Sequence, residues 1–284
     1  MELSYYPGCS LEATAKEFNM SARSVSKALG IELKELDDWV CCGATSAHST
    51  NQKLAITLPA QNLAQAQKAG LDIAIPCAAC YNRIKKTDHV LRTDDEKRQI
   101  IENIIDFKYT GEIKVMSMLE AIVGALGIEA VAAKVTKPLS GLKLACYYGC
   151  LLVRPPAITC FDKPENPMTM DHLMKALGAE PVQWSYKTDC CGAGLTITAT
   201  SKVEKWVTRI VDAAEEAGAQ ALVTACPVCQ SNLEMRRKNR GNGIPVFYFT
   251  ELIGIAMGLP DADKWIAKHL IDPAPLLRAL SLAC

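Results

Sequence analysis

The sequence predicts an α/β chain made of two tandem, duplicated halves, each built from parallel strand–helix units. Three observations predict it. The cysteines Cys9, Cys41, Cys42, Cys77 and Cys80 return as Cys150, Cys190, Cys191, Cys226 and Cys229, and Cys41 to Cys190 and Cys77 to Cys226 are the same 149 positions apart. The flanking segments return in the same order: YYPGCSL as YYGCLL, AGLDIAIPCAAC as AGAQALVTACPVC, and IKVMSMLEAIVGALG as IPVFYFTELIGIAMG. Within each half, short β-rich runs alternate with helical periodicity, which is the pattern of a parallel sheet covered by helices.

In the first half, residues 2–6, 31–36, 71–76 and 113–117 read as strands, and 12–29, 51–69 and 118–127 as helices. Gly30 and Gly70 stop the first two helices, and Pro59 kinks or restarts the second. The last repeated segment is offset by 131 positions instead of 149, because the first half carries about 18 extra residues. These fall in the charged stretch LRTDDEKRQIIENIIDFKYTGE, read as a solvated helix and loop. Pro138 and Gly141 mark the join near 136–141, which gives a first domain over 1–138, a second over 139–258 and a tail over 259–284. In the tail, the spacing of Trp265, Ile266 and Leu270 predicts an amphipathic helix packed as a lid.

Composition narrows the function. The chain has 284 residues, 49% hydrophobic and 22% charged, with 31 basic and 31 acidic side chains, so nothing in its charge recruits nucleic acid. The start MELSYYPGC has neither the basic nor the apolar segment of a secretion signal. The apolar run MLEAIVGALGIEAVAA is interrupted by Glu120 and Glu129. A cytoplasmic protein that does not span a membrane is expected. Thirteen cysteines in a reducing compartment point to metal binding or thiol chemistry rather than to disulfides.

Written as spacings, the halves are C-x31-CC-x34-C-x2-C and C-x39-CC-x34-C-x2-C. The lone cysteine and the C-x2-C pair each follow a predicted strand, and the adjacent pair lies in a loop beyond another. Functional loops of a parallel sheet gather at the carboxyl ends of its strands, so five thiols per half can converge on one edge. Structural zinc takes four ligands, which leaves one thiol over. A cubane iron-sulfur cluster also takes four cysteines, usually at the close spacing of a ferredoxin, and no such run is present. An iron-sulfur group of more open topology can use a fifth thiolate, and the doubled cysteine then serves neighbouring irons. Gly8 and Gly149 precede the lone cysteines, and Gly43 and Gly192 follow the pairs, where absent side chains leave room for a bulky group. Cys146, Cys160 and Cys284 read as ordinary thiols; Cys146 competes with Cys150 as a ligand, but the YYGC match favours Cys150.

With both motifs complete, as CCGAT at 41–45 and CCGAG at 190–194, the chain resembles the B subunit of heterodisulfide reductase, a protein of two cysteine-rich CCG domains. The resemblance covers nearly the whole chain. It implies two noncubane [4Fe-4S] clusters, one per domain, facing each other across a central cavity and related by a pseudo-two-fold axis. By motif, Cys9, Cys41, Cys42, Cys77 and Cys80 would hold the first, and Cys150, Cys190, Cys191, Cys226 and Cys229 the second. It implies reductive cleavage of a disulfide between the clusters, or the reverse, with one electron from each.

No ferredoxin-type C-x2-C-x2-C-x3-C run and no G-x-G-x-x-G fingerprint is present, so no flavin or nicotinamide is expected on this chain. Electrons would come from a small iron-sulfur C subunit attached to a flavin-bearing A subunit capable of electron bifurcation. His48 is a candidate proton donor near the first cluster, weighed against a structural histidine. Arg154 is a candidate for an anionic substrate tail, weighed against a packing role. Two other readings compete: a CCG-domain electron-transfer subunit of a lactate, glycolate or glycerol phosphate dehydrogenase, and a duplicated zinc-binding interaction module.

Overall fold

The computed structural model describes residues 1–44, 47–237 and 243–282. Its strands form two four-stranded sheets. The first contains β1 (Glu2–Tyr5), β2 (Glu32–Glu35), β3 (Ile73–Ile75) and β4 (Val115–Ser117) in the order β2-β1-β3-β4. The second contains β5 (Lys143–Tyr147), β6 (Glu180–Pro181), β7 (Ala221–Thr224) and β8 (Val246–Tyr248) in the order β6-β5-β7-β8. Every pairing is parallel. The central strands β3 and β7 are buried throughout, as strands covered on both faces must be.

In both sheets the chain first steps to one side and then crosses back. Tyr5 lies opposite Ala74 where β1 meets β3, and Tyr147 lies opposite Thr224 where β5 meets β7. These are the switch points, outside which a crevice opens at the carboxyl ends. The lone cysteine follows one strand of each switch point and the C-x2-C pair follows the other.

Local chemistry sets the helices. Asn51 caps Gln52–Ala69 by accepting from the Leu54 amide at 3.0 Å, and Gly70 ends it in the left-handed region. Pro59 sits inside this single helix without a restart. Ser117 and Glu120 form a capping box at the start of Met118–Leu126. The expected helix over 12–29 is two helices, Gly8–Ala13 and Lys16–Ala28. Helix Ala78–Thr93, which carries Cys80, is not among the elements that periodicity predicts: its buried face mixes Tyr81, Asn82, Ile84, Thr87, Asp88 and Leu91, so no apolar stripe marks it. The charged stretch becomes helix Asp95–Ile105 and a loop.

The halves pack through a shared core. Helix Lys16–Ala28 lies against Phe249–Ala256 and Ala262–Ile266 of the other half, while helix Thr169–Ala176 lies against Ile128–Ala132 of the first. Phe18 stacks on Tyr248 with ring centroids 4.2 Å apart, and the Ser21 and Thr250 hydroxyls meet at 2.7 Å. The join is tied down by the Thr136 and Lys137 amides, both donating to the Ala256 carbonyl at 2.9 Å. In the tail, Trp265 and Ile266 are buried and Leu270 is exposed.

Candidate metal centres

At each switch point the strand delivers a tyrosine, then a glycine, then the lone cysteine. Tyr6 donates to the Val40 carbonyl at 2.9 Å, and Tyr147 donates to the Asp189 carbonyl at 2.5 Å. Val40 and Asp189 immediately precede the cysteine pairs, so each tyrosine fastens the paired loop above the strand that carries the lone cysteine. Tyr6 and Tyr147 are loop-holding positions that sequence reasoning leaves unassigned, although YYPGC and YYGC repeat them. Asn62 grips the Val40 amide and carbonyl, each at 2.9 Å, and Asn232 donates to the Cys191 carbonyl at 3.0 Å. Neither asparagine is matched in the other half, so the repeat holds no signal for them.

The sulfurs meet in the same pattern twice. Cys42 Sγ lies 3.2 Å from Cys80 Sγ, and Cys191 Sγ lies 3.6 Å from Cys229 Sγ. Cys41 interacts with Cys9, and Cys190 with Cys150. The Gly43 amide donates to Cys41 Sγ at 3.4 Å and the Gly192 amide to Cys190 Sγ at 3.3 Å, a bond that favours thiolate. Cys77 also lies near enough to Cys226, its own counterpart, for each thiol to shift the acidity of the other. Equivalent groups meet each other only at a two-fold axis, so the pseudo-dyad runs between these two residues and the two thiol sets adjoin.

Gly8 and Gly149 lie in the left-handed region, at φ +68° and +66°. A Cβ at Gly8 would stand 3.3 Å from Cys80 Sγ, and one at Gly149 would stand 3.1 Å from Cys229 Sγ. The missing side chain is what lets the loop approach the sulfurs.

Contact between thiols separates their acidities. The Cys80 thiol holds Cys42 down at about 7, against burial, and the Cys150 thiol holds Cys190 at about 6. Cys229 and Cys77 hold Cys226 well below the usual range, whereas Cys226 pushes Cys77 up. Cys42 pushes Cys80 up, and Cys191 does the same to Cys229. Each half therefore offers thiolate near neutral pH, the form that binds metal. Cys9, Cys41 and Cys190 are exposed and Cys150 is partly so, while the other six are buried, so each set has a dry side and an open side. Among the described residues, no group of three or more His, Cys, Asp or Glu side chains closes on one point as a single ion requires.

Among the described residues, His48 and Arg154 are engaged by groups other than these sulfurs. His48 is exposed on the short helix Ala47–Thr50 and meets Ser49 Oγ at 3.4 Å. Arg154 donates to the Thr188 carbonyl at 3.2 Å and pairs with Glu165 at 2.8 Å, bracing the loop that leads to Cys190. Cys146 is buried on β5 beside Asp171 and Lys187, and Cys160 is exposed. Cys284 lies outside the described residues.

The cysteine-rich domain family model, CCG, matches residues 3–85 and 144–234. Over 97% of its length the chain is 30% identical to the 8-methylmenaquinol:fumarate reductase membrane anchor subunit of Wolinella succinogenes, of which it covers 99%. Over 95% it is 26% identical to the B subunit of the ferredoxin/F420H2-dependent CoB-CoM heterodisulfide reductase of Methanosarcina acetivorans, of which it covers 94%. A solved structure of a hypothetical protein from Helicobacter pylori superposes on 95% of the chain with a TM-score of 0.75 at 13% identity, a likeness of fold alone; the chain spans about half of that protein, 51%. The duplicated sheets, the doubled cysteine motif and the family match agree: the chain belongs to the cysteine-rich CCG domain family, carries two copies in tandem, and is similar over nearly its whole length to the B subunits of heterodisulfide reductases.

Proposed function

We propose that the chain is the catalytic subunit of a heterodisulfide reductase-type complex in the cytoplasm. It would reduce a disulfide to two thiols, or run the reverse, with electrons from partner iron-sulfur and flavin subunits. The carrying observation is that the two thiol sets are neighbours: helix Gly8–Ala13, which holds Cys9, packs against helix Pro227–Met235, which holds Cys229, and Cys77 and Cys226 shift each other's acidity. Two noncubane [4Fe-4S] clusters, held by Cys9, Cys41, Cys42, Cys77 and Cys80 and by Cys150, Cys190, Cys191, Cys226 and Cys229, would each supply one electron.

The donor set supports that reading. Five soft sulfur donors per half, met in pairs rather than around one point, suit a group of several irons better than a single ion. Gly8 and Gly149 leave the space that such a group needs. The protein residues position and shield the centre: Tyr6 and Tyr147 hold the paired loops, and the buried cysteines face the core while the exposed ones face the substrate side. The reaction balances as R–S–S–R′ + 2 e⁻ + 2 H⁺ → R–SH + R′–SH. Splitting a two-electron cleavage between two one-electron centres gives the duplication a chemical reason.

The likeness to the fumarate reductase subunit favours a second reading, an electron-transfer subunit that relays electrons within a respiratory reductase or dehydrogenase. The test is spectroscopic. Under oxidising conditions a thiol enriched in a magnetic sulfur isotope should broaden the electron spin signal of the disulfide-cleaving protein. No broadening with any small or protein thiol tested would move the assignment to the relay.

A further inference from the structure

The duplication lets matched positions be compared, and the halves expose them differently: Thr57 and Ala60 are buried where Trp206 and Arg209 are exposed. Between the paired cysteines and C-x2-C the two halves align without a gap, so each residue of the first has a counterpart 149 positions later. After the first CCG the chain reads polar: Ser46, His48 and Thr57. At the same places after the second it reads Leu195, Ile197 and Trp206, and Ile56 and Ala60 give way to Lys205 and Arg209.

These replacements lie on the surface. Ile197 is 91% exposed at a loop tip, and Leu195 and Trp206 are 40% and 39% exposed. Trp206 belongs to helix Thr200–Glu216, where exposed Lys202 and Arg209 share its face and exposed Lys205, on the adjoining face, stands three after Lys202 and four before Arg209. Arg209 is steadied over the Tyr186 ring at 5.0 Å and donates to its hydroxyl at 2.8 Å. The carboxylates Asp212 and Glu216 share a groove with Lys205 and Arg209 toward the far end of the helix from the loop, Glu215 lies at that same end, and Glu204 is only partly exposed.

We propose that the tip 195–197 and the N-terminal half of this helix seat the protein on an anionic lipid surface. Ile197 and Leu195 enter the acyl boundary, Trp206 lies at headgroup level, and Lys202, Lys205 and Arg209 face the phosphates. The chemistry favours lipid over a protein partner. Tryptophan and arginine suit either kind of partner, but lysine is depleted in protein interfaces, and an inserted aliphatic tip ringed by lysine, arginine and tryptophan is the composition of an interfacial anchor. Either signal alone binds marginally, and this surface carries both. No membrane-crossing helix is needed, and among the described residues none is long and apolar enough to be one.

The seat also orients the redox site. A Cβ on Gly192 would stand 2.9 Å from the Trp206 ring, so the patch adjoins the loop of exposed Cys190. The second thiol set thus lies beside the lipid, whichever of the two reactions the chain performs.

The test uses the full chain, loaded with iron and kept without oxygen. It should co-sediment with vesicles of equal phosphatidylglycerol and phosphatidylcholine far better than with phosphatidylcholine alone, and added salt should release it. Ile197→Asp should weaken binding by at least about tenfold, and Lys202→Gln with Lys205→Gln by roughly fivefold per charge removed. Vesicles should shift the tryptophan emission to the blue, and Trp206→Phe should abolish that shift. Leu54→Asp, an exposed aliphatic position on the corresponding helix of the first half but outside the patch, should bind as the parent does, and every variant should keep the parent's melting temperature. The proposal is overturned if the parent ignores anionic vesicles at low salt, if Ile197→Asp binds undiminished, or if Ile197→Asp releases a partner subunit while vesicle binding stays intact.

Discussion

Phe18 of the first half lies flat against Tyr248 of the second, with centroids 4.2 Å apart, planes 7° apart and both rings fully buried. The pair lies in the core that joins the halves, so it helps hold the two thiol sets together. Phe18→Ala should cost about 3–5 kcal/mol of stability, as large-to-small changes of buried aromatics do. Chemical denaturation should show that loss, and iron content should fall in both halves at once.

Single ligand replacements should behave in the opposite way. Cys42→Ser and Cys191→Ser keep the size but replace a soft donor by a poorly ionised hard one. The parent should hold close to eight irons and eight sulfides, about four of each per half, and each variant about half of that. Iron and acid-labile sulfide analysis checks this. One or two zincs without sulfide in the parent would end the iron assignment.

The glycine before each lone cysteine should not tolerate a methyl group. Gly8→Ala and Gly149→Ala force an L-residue into the left-handed region, at roughly 1–2 kcal/mol, and push a carbon onto Cys80 or Cys229 Sγ. The expected result is selective loss of iron from the affected half. An Ala variant with full metal content would show that the close approach is dispensable.

His269 should make stability depend on pH. Its side chain is buried against Glu251 at 2.9 Å and Glu234 at 3.5 Å; burial opposes its charge, but the two carboxylates raise its pKa to about 10. A folded pKa above the unfolded 6.5 means the stabilisation is complete below about pH 6.5 and is lost as pH climbs toward 10. The advantage of the parent over His269→Gln should be on the order of a few kcal/mol at pH 6 and shrink steadily to pH 10. Paired melting curves across that range give the answer, and a constant difference would place the effect in packing instead of charge.

The sequence by itself determined the duplication, the parallel α/β class and the ten cysteines worth watching, because an internal repeat exposes which residues both copies keep. Spacing after strands was enough to put the cysteines at one edge, since a parallel sheet gathers its carboxyl-end loops there. Helix Ala78–Thr93 stayed hidden because its buried face is half polar, and Asn62 and Asn232 stayed hidden because they have no counterparts to repeat. Only the tertiary structure decided that Cys77 lies near Cys226, that Tyr6 and Tyr147 clamp the paired loops, and that Arg154 is engaged by Thr188 and Glu165. Those relationships join residues far apart in the chain, and local periodicity holds no record of which distant groups a folded core will bring together.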